Sequence, residues 1–191
     1  MATQVRGAAR RAQLLDQLVE LLLAEGFAHL TLDEIAGRLR CSKSTLYTLA
    51  SSKEQLVRAA TVHYFRAATE RVERAVGEAT GAHARIRAYL EAVGEQLRPA
   101  SLQFMTDLAQ SDSARPVYER NTEIAAGRVR ELITDGVESG EFRDVHAAFV
   151  ADVTTATMVR IQRRQVAEAT GLDDARAYRE LAALVTTGLA T

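Results

Sequence analysis

Lys43, Ser44, Thr45, Tyr47 and Thr48 crowd into one and a half helical turns of the stretch CSKSTLYTLASSKEQL, residues 41–56. Their chemistry is recognition rather than bond-making. An ammonium at a helix start can donate to the guanine acceptors of a DNA major groove, and small hydroxyls can donate, accept or touch a thymine methyl. Tyr47 and Lys53 suit phosphate oxygens, which fix register without reading sequence. Helices starting near Ser42 and Ser52 add backbone N–H groups that favour anions. On a helical wheel Leu46, Leu49 and Ala50 share one side, opposite Lys43, Ser44, Tyr47 and Thr48, with Thr45 at the edge. A helix this short is unstable alone, so the leucines must dock on neighbours, which presents the polar face rigidly.

Elsewhere the chain holds little for catalysis or metal binding. His29, His63, His83 and His146 are scattered, without a second ligand at a recognised metal spacing. There is no phosphate-cradling glycine loop, no G-x-S-x-G elbow and no nucleophile with a base beside it. The expectation is a protein that is not an enzyme, with no cofactor and no metal. Asp173 and Asp174 read as a helix start near the N-terminal dipole. Cys41 is the sole cysteine, which excludes an intrachain disulfide and fits the reducing cytoplasm. It reads as a small buried filler, with oxidation beside the reading helix as the alternative. No stretch approaches the ~20 apolar residues needed to cross a bilayer, so no membrane is expected.

The elements that must hold this polar face are helices. Of 191 residues 47% are hydrophobic and 26% charged, with two prolines, a globular profile. Apolar spacing is helical nearly throughout, without alternating strands, and predicts an all-α fold of about nine helices. The first, about 10 to 25, carries Leu14, Leu18, Leu21 and Leu22 and stops at Gly26. Thr31 and Glu34 have capping-box spacing for a second; Ser42 caps a third from 43 to about 49; Ser52 with Gln55 opens a long fourth. Others are expected at 83–97, 99–110, 116–138, 144–169 and 173–189, with Pro99 and Pro116 in first turns and Asp144 as a cap. The separation from Leu39 to Ser42 fits a helix-turn-helix. The net charge of −1 conceals a slightly basic end: residues 1–53 hold seven basic groups against five acids.

Residues 10–56, above all T31-L-D-E-I-A36 with S42-K-S-T-L-Y47 and S52-K-E-Q-L56, resemble the DNA-binding region of TetR-family transcriptional repressors. The resemblance implies a basic arm at 1–9, a helix-turn-helix domain at 10–54 and a ligand-binding and dimerisation domain at 55–191. It implies a cytoplasmic homodimer, paired through the two C-terminal helices, on a palindromic double-stranded DNA operator and released by a small-molecule effector. The DNA-facing set is then Thr31, Arg40, Ser42, Lys43, Ser44, Thr45, Tyr47, Thr48 and Lys53, reinforced by Arg6, Arg10 and Arg11 of the arm. Arg160, Arg163 and Arg164 would line the rim of the dimer interface. The chain departs from the family's habit in two ways. Arg40 stands where a turn glycine is usual, and Leu49 and Ala50 replace an aromatic pair.

An effector pocket is implied among helices four to eight, with Phe65, Tyr89, Phe104, Met105, Asp107, Tyr118 and Met158 as candidate contacts and Asp107 or a tyrosine hydroxyl as polar anchor. Two other classes fit an all-helical chain: an enzyme on the same scaffold, or a dimeric interaction protein with a degenerate helix-turn-helix. Operator binding separates both from a regulator.

Overall fold

The computed structural model describes residues 2–190, with side chains from Arg10 onward. Among them are ten α-helices and no strand: α1 (Ala2–Glu25), α2 (Leu32–Arg38), α3 (Lys43–Tyr47), α4 (Lys53–Glu78), α5 (Ala82–Leu97), α6 (Leu102–Gln110), α7 (Arg115–Glu138), α8 (Ala147–Gln162), α9 (Gln165–Thr170) and α10 (Asp174–Gly188). Among the described residues no helix is long and apolar enough to cross a membrane.

Several boundaries differ from the sequence reading, each for a local reason. The first helix begins at Ala2 rather than near residue 10. Ala2, Ala8 and Ala9 are strong helix formers and no proline interrupts them, so the backbone of the expected arm is helical. The side chain of Arg6 lies outside the described residues. Ser101, not Pro99, opens α6, its hydroxyl accepting from the Phe104 N–H at 3.1 Å, while Pro99 sits in the preceding turn. The helix expected over 144–169 starts later and breaks. Arg143 is pinned to the end of α10, its N–H donating to the Leu189 carbonyl at 3.1 Å and its Nε to that of Gly188 at 2.7 Å. Asp144 therefore lies in a tethered loop, and His146 caps α8 instead, its Nδ1 accepting from the Phe149 N–H. The break between α8 and α9 falls at Arg164, left-handed at φ 60°, whose guanidinium meets Asp174 at 2.8 Å.

The chain packs as two compact units, one made of residues up to Arg66 with Pro99–Glu119, the other of Ala67–Arg98 with the chain from Arg120 onward. In the first, Leu18, Leu22, Phe27, Ile35, Leu46, Leu56, Phe104 and Leu108 share one core. Phe104 stacks edge-on against Phe27 and Tyr64, with centroids 6.0 and 6.1 Å away. The amide of Ser101 donates to the Leu23 carbonyl at 2.8 Å, tying the start of α6 to α1.

In the second unit α5 and α10 pack closely because Gly94 leaves room for Tyr178: a Cβ there would sit 3.0 Å from the ring. Ile86, Leu90, Val129, Ile133, Met158 and Leu181 complete this core. Arg128 of α7 grips Glu73 of α4 with two hydrogen bonds of 3.0 Å. Burial works against the Arg128 charge, yet its bonds to Glu73 and Glu131 outweigh it and raise the guanidinium above its usual range. Burial, helped by Glu73, pushes the Tyr89 hydroxyl well above the ordinary phenol value.

Candidate nucleic-acid interface

The helix-turn-helix is built from caps outward. The Thr31 hydroxyl accepts from the Glu34 N–H at 3.2 Å, and the Glu34 carboxylate accepts in return from the Thr31 N–H at 2.7 Å and its hydroxyl at 2.8 Å. The capping box fixes the start of α2, and Ile35 and Ala36 seat that helix in the core. The chain turns through Arg40, left-handed at φ 49°, with the Cys41 N–H returning to the Ala36 carbonyl at 3.0 Å. The turn position where glycine is usual does adopt the conformation that favours glycine. Cys41 packs partly against the core, and burial raises its thiol above the ordinary value, which leaves little reactive thiolate.

α3 follows, capped by Ser42, whose hydroxyl accepts from the Thr45 N–H at 3.1 Å. Leu46 is fully buried and anchors the helix, while Lys43, Ser44, Tyr47 and Thr48 face solvent and Thr45 lies between. The inward and outward faces are those of the wheel, although α3 ends at Tyr47 and Leu49 and Ala50 pack from the turn beyond it. The hydroxyls form a local network. Ser42 Oγ lies 2.7 Å from Ser44 Oγ and 2.8 Å from Thr45 Oγ1, and the Thr48 hydroxyl donates to the Thr45 carbonyl at 2.7 Å.

Three cations around α3 have partners within the chain. Lys43 Nζ lies 2.8 Å from Asp33 Oδ2, a hydrogen bond that holds the ammonium above the usual lysine range. Arg38 pairs with Glu25. Lys53, at the start of α4, donates to the Ala28 carbonyl at 2.9 Å. The long fourth helix opens at Ser52, which accepts from the Gln55 N–H, but the Gln55 carbonyl reaches back to Ser51 rather than to Ser52. Arg10 and Arg11 of α1 border a groove of about 480 Å³ with Leu14, Ser44, Thr45 and Thr48. The two arginines therefore stand beside the polar face of α3, and the guanidinium of Arg11 reaches the Leu49 carbonyl at 3.4 Å.

The candidate effector contacts fall in both units. Phe65, Phe104, Met105, Asp107 and Tyr118 belong to the first unit, and Tyr89 and Met158 to the second. All seven are buried. The Asp107 carboxylate serves the fold, since Oδ2 accepts from the N–H groups of Phe27 at 2.5 Å and Ala28 at 2.8 Å, and Oδ1 from the Gln103 amide at 2.7 Å. It borders an open cleft of about 320 Å³ with Lys53, Glu54, Val57 and Gln110. Arg160 and Arg163 are exposed, whereas Arg164 is half-buried against Asp174. Among the described residues no three His, Cys, Asp or Glu side chains gather as metal ligands. Sequence reasoning did not single out Asp33 or Glu25 as partners. Asp33 lies ten positions from Lys43, beyond any local pairing rule, and becomes a neighbour only once the turn is folded.

Residues 14–60 match the sequence profile of the bacterial regulatory proteins of the tetR family. Among curated proteins no sequence match is found. Solved structures with the same fold include a transcriptional regulator from Saccharomonospora viridis in complex with choline, with a TM-score of 0.80 at 17% identity, covering 96% of this chain and 99% of that one. A TetR transcription regulator from Haloarcula marismortui gives 0.78 at 18%, covering 96% and 100%. The ketosteroid transcriptional regulator KstR2 of Mycobacterium tuberculosis gives 0.64 at 18%, covering 95% of each. The helix-turn-helix lies inside the segment that matches this profile, and the chain shares its fold over nearly its whole length with solved transcriptional regulators.

Proposed function

We propose that the protein is a ligand-responsive repressor that binds a palindromic operator as a homodimer and is released by a small-molecule effector. The observation that carries this reading is the presentation of α3, held from below by buried Leu46 and turning Lys43, Ser44, Tyr47 and Thr48 to solvent. In this reading Lys43, Ser44 and Thr48 meet base edges, while Tyr47, Arg40, Lys53, Arg10 and Arg11 meet phosphates; Arg6 would extend the same contact. Exposed Phe149 and Val153 on α8 and Leu184 on α10 support pairing through these helices, since apolar side chains of this size gain from a partner's cover. The choline held by the S. viridis regulator supports a small-molecule effector here. A coupling of about 1–3 kcal/mol between effector and DNA would release the operator roughly tenfold to a hundredfold.

Footprinting of the DNA flanking the encoding gene tests the reading. A protected, two-fold symmetric site is expected. Tyr47→Ala should weaken binding to all sites, whereas Lys43→Ala should change which base is preferred at one position of each half-site. Absence of any protected site in that DNA, together with turnover of a small molecule, would move the assignment to an enzyme.

A further inference from the structure

Lys43 is the sole cation of α3, and Asp33, in the first turn of α2, holds it. Both side chains are open to solvent, the aspartate at 75% and the lysine at 44%. A pair so exposed is screened by salt and contributes little to the fold. The relation of α2 to α3 rests instead on buried Ile35 and Leu46. The capping box of α2 is completed by Glu34 without help from Asp33. What Asp33 does is set a carboxylate beside the cation that the reading helix offers to DNA.

We propose that Asp33 is a specificity-determining residue of the interface: by holding Lys43 it withholds that cation from phosphates, which every duplex offers, and leaves it able to serve a correctly placed base edge. The inference rests on the DNA-binding reading above and deepens it. An ammonium carries three N–H donors. It can keep Asp33 on one and give the others to the paired O6 and N7 acceptors of a guanine. Swinging away to a phosphate would instead strand the Asp33 carboxylate, unpaired, in the negative field of the backbone. A cation free to take any phosphate raises affinity everywhere and adds nothing to discrimination. Asp33 thus trades general affinity for a larger difference between right and wrong sequences.

The test measures binding of full-length protein to two fluorescent duplexes over a range of KCl concentrations. One is a random-sequence pool; the other is the sequence that the parent protein selects from that pool. Asp33→Asn preserves size and leaves a hydrogen-bond acceptor while removing the charge. It should tighten binding to the random pool several-fold at low salt and steepen the log–log salt dependence by about one, the signature of roughly one added phosphate contact. Affinity for the selected duplex should rise less, so the ratio between the two falls. In the Lys43→Ala background the same substitution should leave the salt slope where it was. An unchanged slope or ratio in Asp33→Asn overturns the proposal, and so does a gain that persists without Lys43, which would mean simple removal of repulsion. A parent that binds neither duplex in a salt-dependent way takes down the DNA-binding reading itself, and this inference with it.

Discussion

Asp107 shows how much one buried side chain can organise. At 3% exposure it accepts from two backbone N–H groups at the turn after α1 and from the amide of Gln103. Gly26, left-handed at φ 80°, lies so close beneath that a Cβ would stand 2.6 Å from Gln103 and 2.7 Å from the Asp107 carboxylate. Asp107→Ala removes the acceptor and strands both donors, and should cost about 2–4 kcal/mol, read as a lower urea midpoint with unchanged slope. Arg40 makes the opposite case. Its left-handed backbone is strained for any residue but glycine, so Arg40→Gly should stabilise the fold by about 1 kcal/mol in thermal melts. The same change should weaken binding to DNA of any sequence if the guanidinium meets a phosphate, a split that separates backbone strain from contact.

At the scale of elements, α2 and α3 are too short to persist without caps and docking. Ser42→Ala should cost about 1 kcal/mol and lower DNA affinity, because the cap bond to the Thr45 N–H sets where α3 begins. The capping box of α2 carries a pH dependence. Hydrogen bonds from the Thr31 backbone and side chain hold the Glu34 carboxyl below the usual carboxylate range. A depressed folded-state value means that stabilisation is complete above the unfolded-state value and fades as pH falls through the folded one. Amide protection of Thr31 should therefore decline on acidification, and Glu34→Gln should flatten that decline. These two helices were legible in the sequence because their signals are local: Thr31 with Glu34, Ser42 with Thr45, and leucines at helical spacing all act within a turn. The break at Arg164 was not, because it is bound up with a guanidinium that meets Asp174 of a later helix. Nor was the pinning of Arg143 to the end of α10, which delays α8, since its partner lies 45 residues away. The same distance problem hid Asp33 from Lys43 and the turn after α1 from Asp107, whose oxygens accept from Phe27 and Ala28 about eighty residues away.

For the whole molecule, the exposed apolar residues of α8 and α10 set a clear expectation. The protein should sediment as a dimer, and Leu184→Glu should shift it toward monomer at micromolar concentration while leaving helical content intact, because Leu184 is 72% exposed and supports no core. In the proposed function, operator affinity should fall as dimerisation is lost, since half-sites are then bound singly. The division of the chain into two units has a further consequence. The family profile ends at residue 60, yet the unit that carries the helix-turn-helix is closed by Phe104, Asp107 and Leu108, supplied after the intervening chain of the other unit has been made. During synthesis this unit must wait at the ribosome, its aromatic cluster half assembled, until roughly fifty more residues have emerged.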